Sequence, residues 1–232
     1  MRLVELFGAP GAGKTTLAMA AAGKAGVLTR HQLGALWRKQ PLGTRAVHVL
    51  RGFAHAGRIA GALRLVSGAR IRKRPSLALL ARVIAKTHWL KSRSGVILLD
   101  QGFLQDLWSI LYMSGRPDPD PAILAPLIRA IYDGVDARIV FIDVKPETSA
   151  SRVGSRTHGH SRLDGLPEAE LYGSLTRAAQ LPVRIVEAAK AAGCDVVTLD
   201  GSEPSGVLVN RLLPLLQAAE PRDRRFDSQV SA

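Results

Sequence analysis

Between Glu5 and Asp100 the chain contains no aspartate or glutamate. Residues 1–99 carry 18 Lys or Arg against that one acid, a balance of +17. Residues 100–232 hold 14 bases and 18 acids, a balance of −4, so the net charge of +13 is concentrated in one half. A field of one sign draws anions: nucleotides, phosphorylated metabolites, nucleic acid or acidic lipid. Solubility alone is the plainer reading of the same charge. There is a single cysteine, Cys194, which excludes an internal disulfide and fits a reducing compartment. Aromatic residues make up only 5% of the 232, so the core must be drawn from Leu, Val, Ile and Ala. Long hydrophobic runs are missing too, and none approaches the ~18 residues of a membrane span. The apolar N-terminus is broken by Glu5 and a glycine-rich turn, with no cleavage pattern behind it. These absences point to a cytoplasmic protein with one sizeable core.

What is present alternates. Short apolar runs at 3–7, 26–29, 94–100, 137–144 and 194–200 read as strands, several ending in an acid. Helical patterns separate them: 13–25, a basic region over 30–74, 76–91 behind an N-cap Ser76, 103–113, a segment ending near 133, a short helix from Pro146, 167–192, and 205–218. Pro75 is expected to stop a basic loop at 70–76. Strand–helix alternation implies an α/β fold with a central parallel sheet covered on both faces. Ligands of such sheets bind beyond the carboxyl ends of the strands. One domain is expected over 1–218, with a basic helical insert at about 30–93, a lid at about 152–166 and a loose charged tail at 219–232.

One local pattern is specific. Gly8, Ala9, Pro10, Gly11, Ala12, Gly13, Lys14 and Thr15 satisfy G-x-x-x-x-G-K-[ST] at every position, between a strand and a helix. Glycines let the backbone wrap an anion, amide N–H groups turn inward, and the helix N-terminus adds positive charge. Lys14 is expected to bridge the outer phosphates, Thr15 to hold Mg²⁺, and Thr16 to touch an inner phosphate. Pro10 has no N–H and must occupy a position that needs none. Asp100 ends the most apolar strand and is the candidate for binding the metal or accepting a proton. Asp143 is a weaker candidate, expected to orient the loop that follows or simply to cap structure, and Asp106 reads as a solvated helix face. Arg152, Arg156 and Arg162 flank a Gly-, Ser- and His-rich segment suited to closing over a substrate and bridging phosphates. His158 and His160 are weak as metal ligands.

The order of these parts resembles the P-loop nucleoside monophosphate kinases, and most closely the thymidylate kinase-like group. The loop helix, "VILLDQGFLQDLWS", "FIDVKPETSASRVGSRTHGHSRLD" and "VVTLDGSEPSGVLVNRLLPLL" carry the resemblance, which misses residues 30–91. It implies a three-layer P-loop NTPase fold and ATP with Mg²⁺ as cofactors. It also implies that Arg152 stacks on the base, that Arg156 and Arg162 reach phosphates, and that the last strand and its loop lie beside the adenine. Two residues depart from it. Gln101 stands where the group has an arginine after the aspartate, and Phe7 where it has an acid before the first glycine. The acceptor-facing arginine is therefore missing.

Arg45, His48, Arg51, His55 and Arg58 recur at steps of three and four and are expected to form one helical stripe. Arg45 and Arg51 are candidates for the absent acceptor-side charge, and a solvated face is the bland alternative. Trp37 and Trp89 read as core or rim residues rather than base-stacking platforms. The functional expectation is a phosphotransferase acting on a small anionic or hydroxyl-bearing acceptor, with Lys14, Asp100, Arg156 and Arg162 as its working residues. The rival is a nucleotide-binding ATPase that docks nucleic acid or an anionic membrane through its basic half. A homodimer is left open.

Overall fold

A computed structural model describes residues 1–155 and 167–217. Five strands form one parallel sheet: β1 (Arg2–Gly8), β2 (Leu28–Thr29), β3 (Val96–Leu99), β4 (Asp136–Asp143) and β5 (Asp195–Asp200), in the order β2-β3-β1-β4-β5. The strand that ends in the glycine loop is therefore central. Leu3 lies opposite Ile97 and Ala137, and Gly8 opposite Ile142. This is the α/β fold expected from the alternation of elements.

Each central strand divides its side chains between two cores, as a pleat of period two requires. Val4 and Leu6 join Leu98, Val140 and Ile142 under α1 (Lys14–Ala25) and α11 (Ser205–Leu216). Leu3 and Phe7 join Ile97, Leu99, Ile139 and Phe141 in the larger core on the other face. That face is covered by α5 (Arg74–Lys91), α6 (Phe103–Met113), α7 (Pro121–Tyr132) and α10 (Gln180–Ala191). Three helices come between β2 and α5: α2 (Arg30–Lys39), α3 (Leu42–Phe53) and α4 (Ala56–Gly68). α8 (Pro146–Gly154) follows β4, and α9 (Glu168–Arg177) precedes α10.

Four local expectations change. The basic stretch from residue 30 is three helices, because Pro41 and His55 each occupy an N-cap with extended ψ. The cationic stripe is accordingly split, with Arg45, His48 and Arg51 on α3 and Arg58 on α4. Pro75 does not stop a loop but sits in the first turn of α5, where its missing N–H costs nothing. Ser76 is therefore buried rather than a cap, and its Oγ donates to Ile110 O at 3.2 Å. The helix expected over 167–192 breaks at Ala178–Ala179, since Pro182 can offer no N–H to the carbonyl of Ala178.

Glu5 is the anomaly of the larger core. It lies between Leu3 and Phe7 and is fully buried. Its Oε2 accepts the Phe103 N–H at 3.0 Å, its Oε1 the Leu104 N–H at 2.7 Å, and its Oε2 the Tyr132 hydroxyl at 2.6 Å. These are the first amides of α6, which has no side-chain cap of its own. Glu5 supplies that cap from the central strand, and its negative charge suits a helix N-terminus. A Cβ at Gly102 would overlap the Glu5 carboxylate, so glycine is required where α6 begins.

Burial pushes the Glu5 carboxyl from 4.5 up to about 7, against the hydrogen bonds from Tyr132, Leu104 and Phe103. The folded chain thus binds this proton more tightly than the unfolded chain does. The resulting stabilisation is complete below pH 4.5 and is lost as pH rises to about 7. Glu5→Gln cannot titrate and turns an amide donor toward α6, which costs about 1–3 kcal/mol. Denaturant unfolding of both proteins should show their stability gap shrinking between pH 4.5 and 7 and constant above. A gap that ignores pH would refute the assignment.

Candidate active site

The glycine loop leaves β1 at Gly8 and enters α1 at Lys14, so it lies at the carboxyl end of the central strand. Gly11 and Gly13 have φ of +87° and +86°, a left-handed region closed to most side chains. At Gly11 space is limiting as well, because an added Cβ would stand 2.5 Å from Ser149 O of α8. Gly13 is the N-cap of α1 and offers no side chain, leaving the first-turn amides for a ligand. Lys14 is buried, and its Nζ donates to Gly8 O and Ala9 O, each at 2.8 Å. The ammonium is thereby held over the loop.

Thr15 is exposed on the first turn, and its Oγ1 donates to Asp100 Oδ2 at 2.8 Å. Asp100 follows β3 directly, and β3 pairs with β1, so sheet register brings the two together. A hydroxyl and a carboxylate oxygen on adjacent elements are hard donors that suit Mg²⁺ sharing the oxygens of a phosphate. Among the described residues no group of three or more His, Cys, Asp or Glu could hold a metal by itself.

On the β4–β5 side, a cavity of about 670 Å³ opens beside the loop. Ala9 and Pro10, Asp143 and Lys145, Trp108 and Ser202 are among its walls. Pro10 thus faces this cavity, and its want of an N–H leaves no donor unused there. The loop after β5 is fixed by Gly201 N–H donating to Asp143 O at 2.7 Å and by Arg152 Nη1 donating to Gly201 O at 3.0 Å. Asp143 is exposed and contributes a backbone carbonyl rather than a catalytic carboxylate to this contact. Asp200 accepts the Ser202 N–H, and hydrogen bonds from Ser202, side chain first, hold its carboxyl below the usual range.

The other expected residues separate. Arg45 donates to Gln40 O at 3.0 Å, and buried Arg58 points its guanidinium at Ala130 O and Gly52 O. His48 Nδ1 lies 2.9 Å from His88 Nδ1, and Trp37 meets buried Trp89 edge-on at 5.1 Å. The stripe is largely used in packing, as are both tryptophans. Arg156, Arg162, His158, His160 and the 219–232 tail lie outside the described residues.

One residue differs from its reading and another, Arg30, carried none. Asp106, read as a solvated face, is half-buried, and burial raises its carboxyl to about 6 against Arg30, Lys86 and Arg82. Arg30 Nη1 donates to Gln101 Oε1 at 2.6 Å, beside Asp100.

A loop of this geometry at the centre of a parallel sheet is the arrangement of the P-loop fold. Solved structures share it over nearly the whole chain. Deoxyadenosine kinase from M. mycoides with the products dCMP and a flexible dCDP bound superposes with a TM-score of 0.51 at 16% identity, covering 93% of this chain and 98% of that one. The same enzyme with bound dATP gives 0.50 at 16% identity over 93% and 99%. Shikimate kinase from Bacteroides thetaiotaomicron gives 0.50 at 17% identity over 92% and 97%. No protein-family description and no curated protein matches the sequence. At such identities the likeness is one of fold: this chain has the architecture of the P-loop kinases. Among the described residues no helix is long and apolar enough to cross a membrane.

Gly11→Ala introduces both a strained φ and a clash with α8, costing about 1–3 kcal/mol. Thermal unfolding and a nucleotide titration of the variant should show a lower midpoint and weaker binding. An unchanged affinity would mean the loop tolerates another shape.

Proposed function

We propose that the chain is a phosphotransferase that moves the γ-phosphoryl group of ATP to a small anionic or hydroxyl-bearing acceptor, with Mg²⁺. The observation that carries this reading is the Thr15–Asp100 contact at 2.8 Å beside Lys14 and an uncapped helix N-terminus. The fold shared with deoxyadenosine kinase and shikimate kinase supports it.

On this reading the amides of 8–16 cradle the triphosphate, and Lys14 exchanges its carbonyl partners for the outer phosphates. The nucleoside enters the cavity beyond β4 and β5, with Arg152 and the Gly201 loop beside its base. Thr15 and Asp100 hold Mg²⁺, which neutralises charge on the outer phosphates when bound. Arg156 and Arg162 are proposed to close over the transferring group, as the family resemblance implies. An acceptor oxygen attacks the γ-phosphorus, the bond to the β–γ bridging oxygen breaks, and ADP leaves. A hydroxyl acceptor gives its proton to the carboxylate at this strand end, Asp100. An acceptor that is already an oxyanion needs no base. The lone half-buried thiol, Cys194, suits a reducing cytoplasm.

Two substitutions test the reading with labelled ATP and a panel of nucleosides, nucleotides, hydroxy acids and sugars. Lys14→Ala should lower transfer at least ~100-fold while the variant still unfolds cooperatively, at a midpoint lowered only by the lost bonds to Gly8 O and Ala9 O. Asp100→Asn should raise the Mg²⁺ concentration needed for half-maximal rate ~10-fold or more. Full activity of Lys14→Ala would exclude the loop as the donor site. Stimulation of ATP hydrolysis by nucleic acid or anionic vesicles, with steep salt dependence, would favour polyanion docking instead.

A further inference from the structure

A second cluster of polar side chains stands at the carboxyl ends of β2 and β3, across the loop from the 670 Å³ cavity. Arg30 is the first residue of α2, directly after β2. Its position is fixed by a capping box, in which the Thr29 N–H donates to Gln32 Oε1 at 2.8 Å. β2 pairs with β3 at Leu28–Ile97 and Thr29–Leu98, which brings Arg30 alongside the turn after Leu99. There its Nη1 donates to Gln101 Oε1 at 2.6 Å. Gln101 is adjacent in sequence to Asp100, which touches the loop through Thr15.

Arg82 and Lys86 come from one face of α5, and Asp106 from the first turn of α6. All three basic side chains act on Asp106, in the order Arg30, Lys86, Arg82. Among the described residues none of them closes a direct ion pair with it. Asp106 is half-buried, and burial biases its carboxyl toward the neutral form against these cations. The Lys86 ammonium, on an exposed residue, is lowered first by burial and then by neighbouring Arg82. Arg30, Gln101, Arg82 and Lys86 are all exposed, so the cluster opens to solvent and to a ligand. A guanidinium has five N–H donors in a planar fork, and Gln101 engages one of them.

We propose that Arg30, backed by Lys86 and Arg82, binds an oxyanion on the acceptor, a phosphate monoester or a carboxylate, and that Gln101 is the residue that positions it. This rests on the phosphotransferase reading above. The arginine missing after Asp100 is replaced by a cation delivered from the neighbouring strand, and the residue at 101 becomes its holder.

Transfer assays with paired acceptors test this: nucleoside monophosphates against nucleosides, and hydroxy acids against their amides. The charged member of one pair should be preferred at least ~100-fold in kcat/KM, and which pair it is tells phosphate from carboxylate. Arg30→Ala should raise KM for that acceptor about 10- to 100-fold with KM for ATP unchanged. Arg30→Lys should recover part of the loss, and Gln101→Ala should show a smaller rise. A binding measurement free of turnover uses inorganic phosphate as probe. Calorimetry on Lys14→Ala, whose loop is weakened, should retain phosphate binding that Lys14→Ala/Arg30→Ala loses. An uncharged preferred acceptor, or equal phosphate binding by those two variants, overturns the subsite. Failure of the wild-type chain to bind ATP overturns the donor reading separately, and the phosphate titration still decides the subsite.

Discussion

The buried carboxylate of Glu5 ties the sheet to the turn on which the candidate chemistry stands. It holds the first amides of α6 and the Tyr132 hydroxyl, so it fixes where α6 starts. Only Gln101 and Gly102 separate that start from Asp100. The carboxylate facing Thr15 and the amide facing Arg30 are therefore aimed by a residue in the middle of β1, three positions before the loop begins. An ionisable group in such a place is costly unless its hydrogen bonds are complete, and here both oxygens are used. One strand thus sets both walls of the site, through its loop and through its acid.

The glycine loop was legible because its chemistry is local: eight consecutive residues carry the spacing, the lysine and the hydroxyl. Asp100 was legible because a continuous apolar run marks a buried parallel strand and its end. Glu5 was not. Its partners lie 98, 99 and 127 residues away, and only the assembled sheet names them. A signal existed nonetheless, since a single acid on the core-facing side of an apolar strand needs donors. Arg30 was hidden for a different reason. It is one cation in a long basic stretch, and nothing local distinguishes it from Arg45 or Arg51. The pairing of a two-residue strand with β3 makes the difference. Asp106 was misread because helical periodicity shows which face points away from the core, not what packs over that face. The break at Ala178–Ala179 follows from Pro182 and was readable in principle.

The cations of the positive half are not alike. Arg45, Arg58 and the His48–His88 pair are engaged by carbonyls, each other and aromatic neighbours within the helices that follow β2. Arg30 instead is held by Gln101 next to Asp100, with exposed Arg82 and Lys86 of α5 acting on the same Asp106. Net charge alone could not separate cations that hold helices together from cations that await an anion. The separation appears only when hydrogen-bond partners are assigned one by one.

The strand order also bears on kinetic order. With β1 at the centre, the cavity lies mainly against β4, β5 and α10, while Arg30 and Gln101 follow β2 and β3 on the other side of the loop. On the proposed phosphotransferase reading, a donor in the cavity and an acceptor at Arg30 would reach the loop from different sides. Such a layout favours a ternary complex and direct displacement, with inversion at phosphorus, over a ping-pong cycle through a phosphorylated side chain.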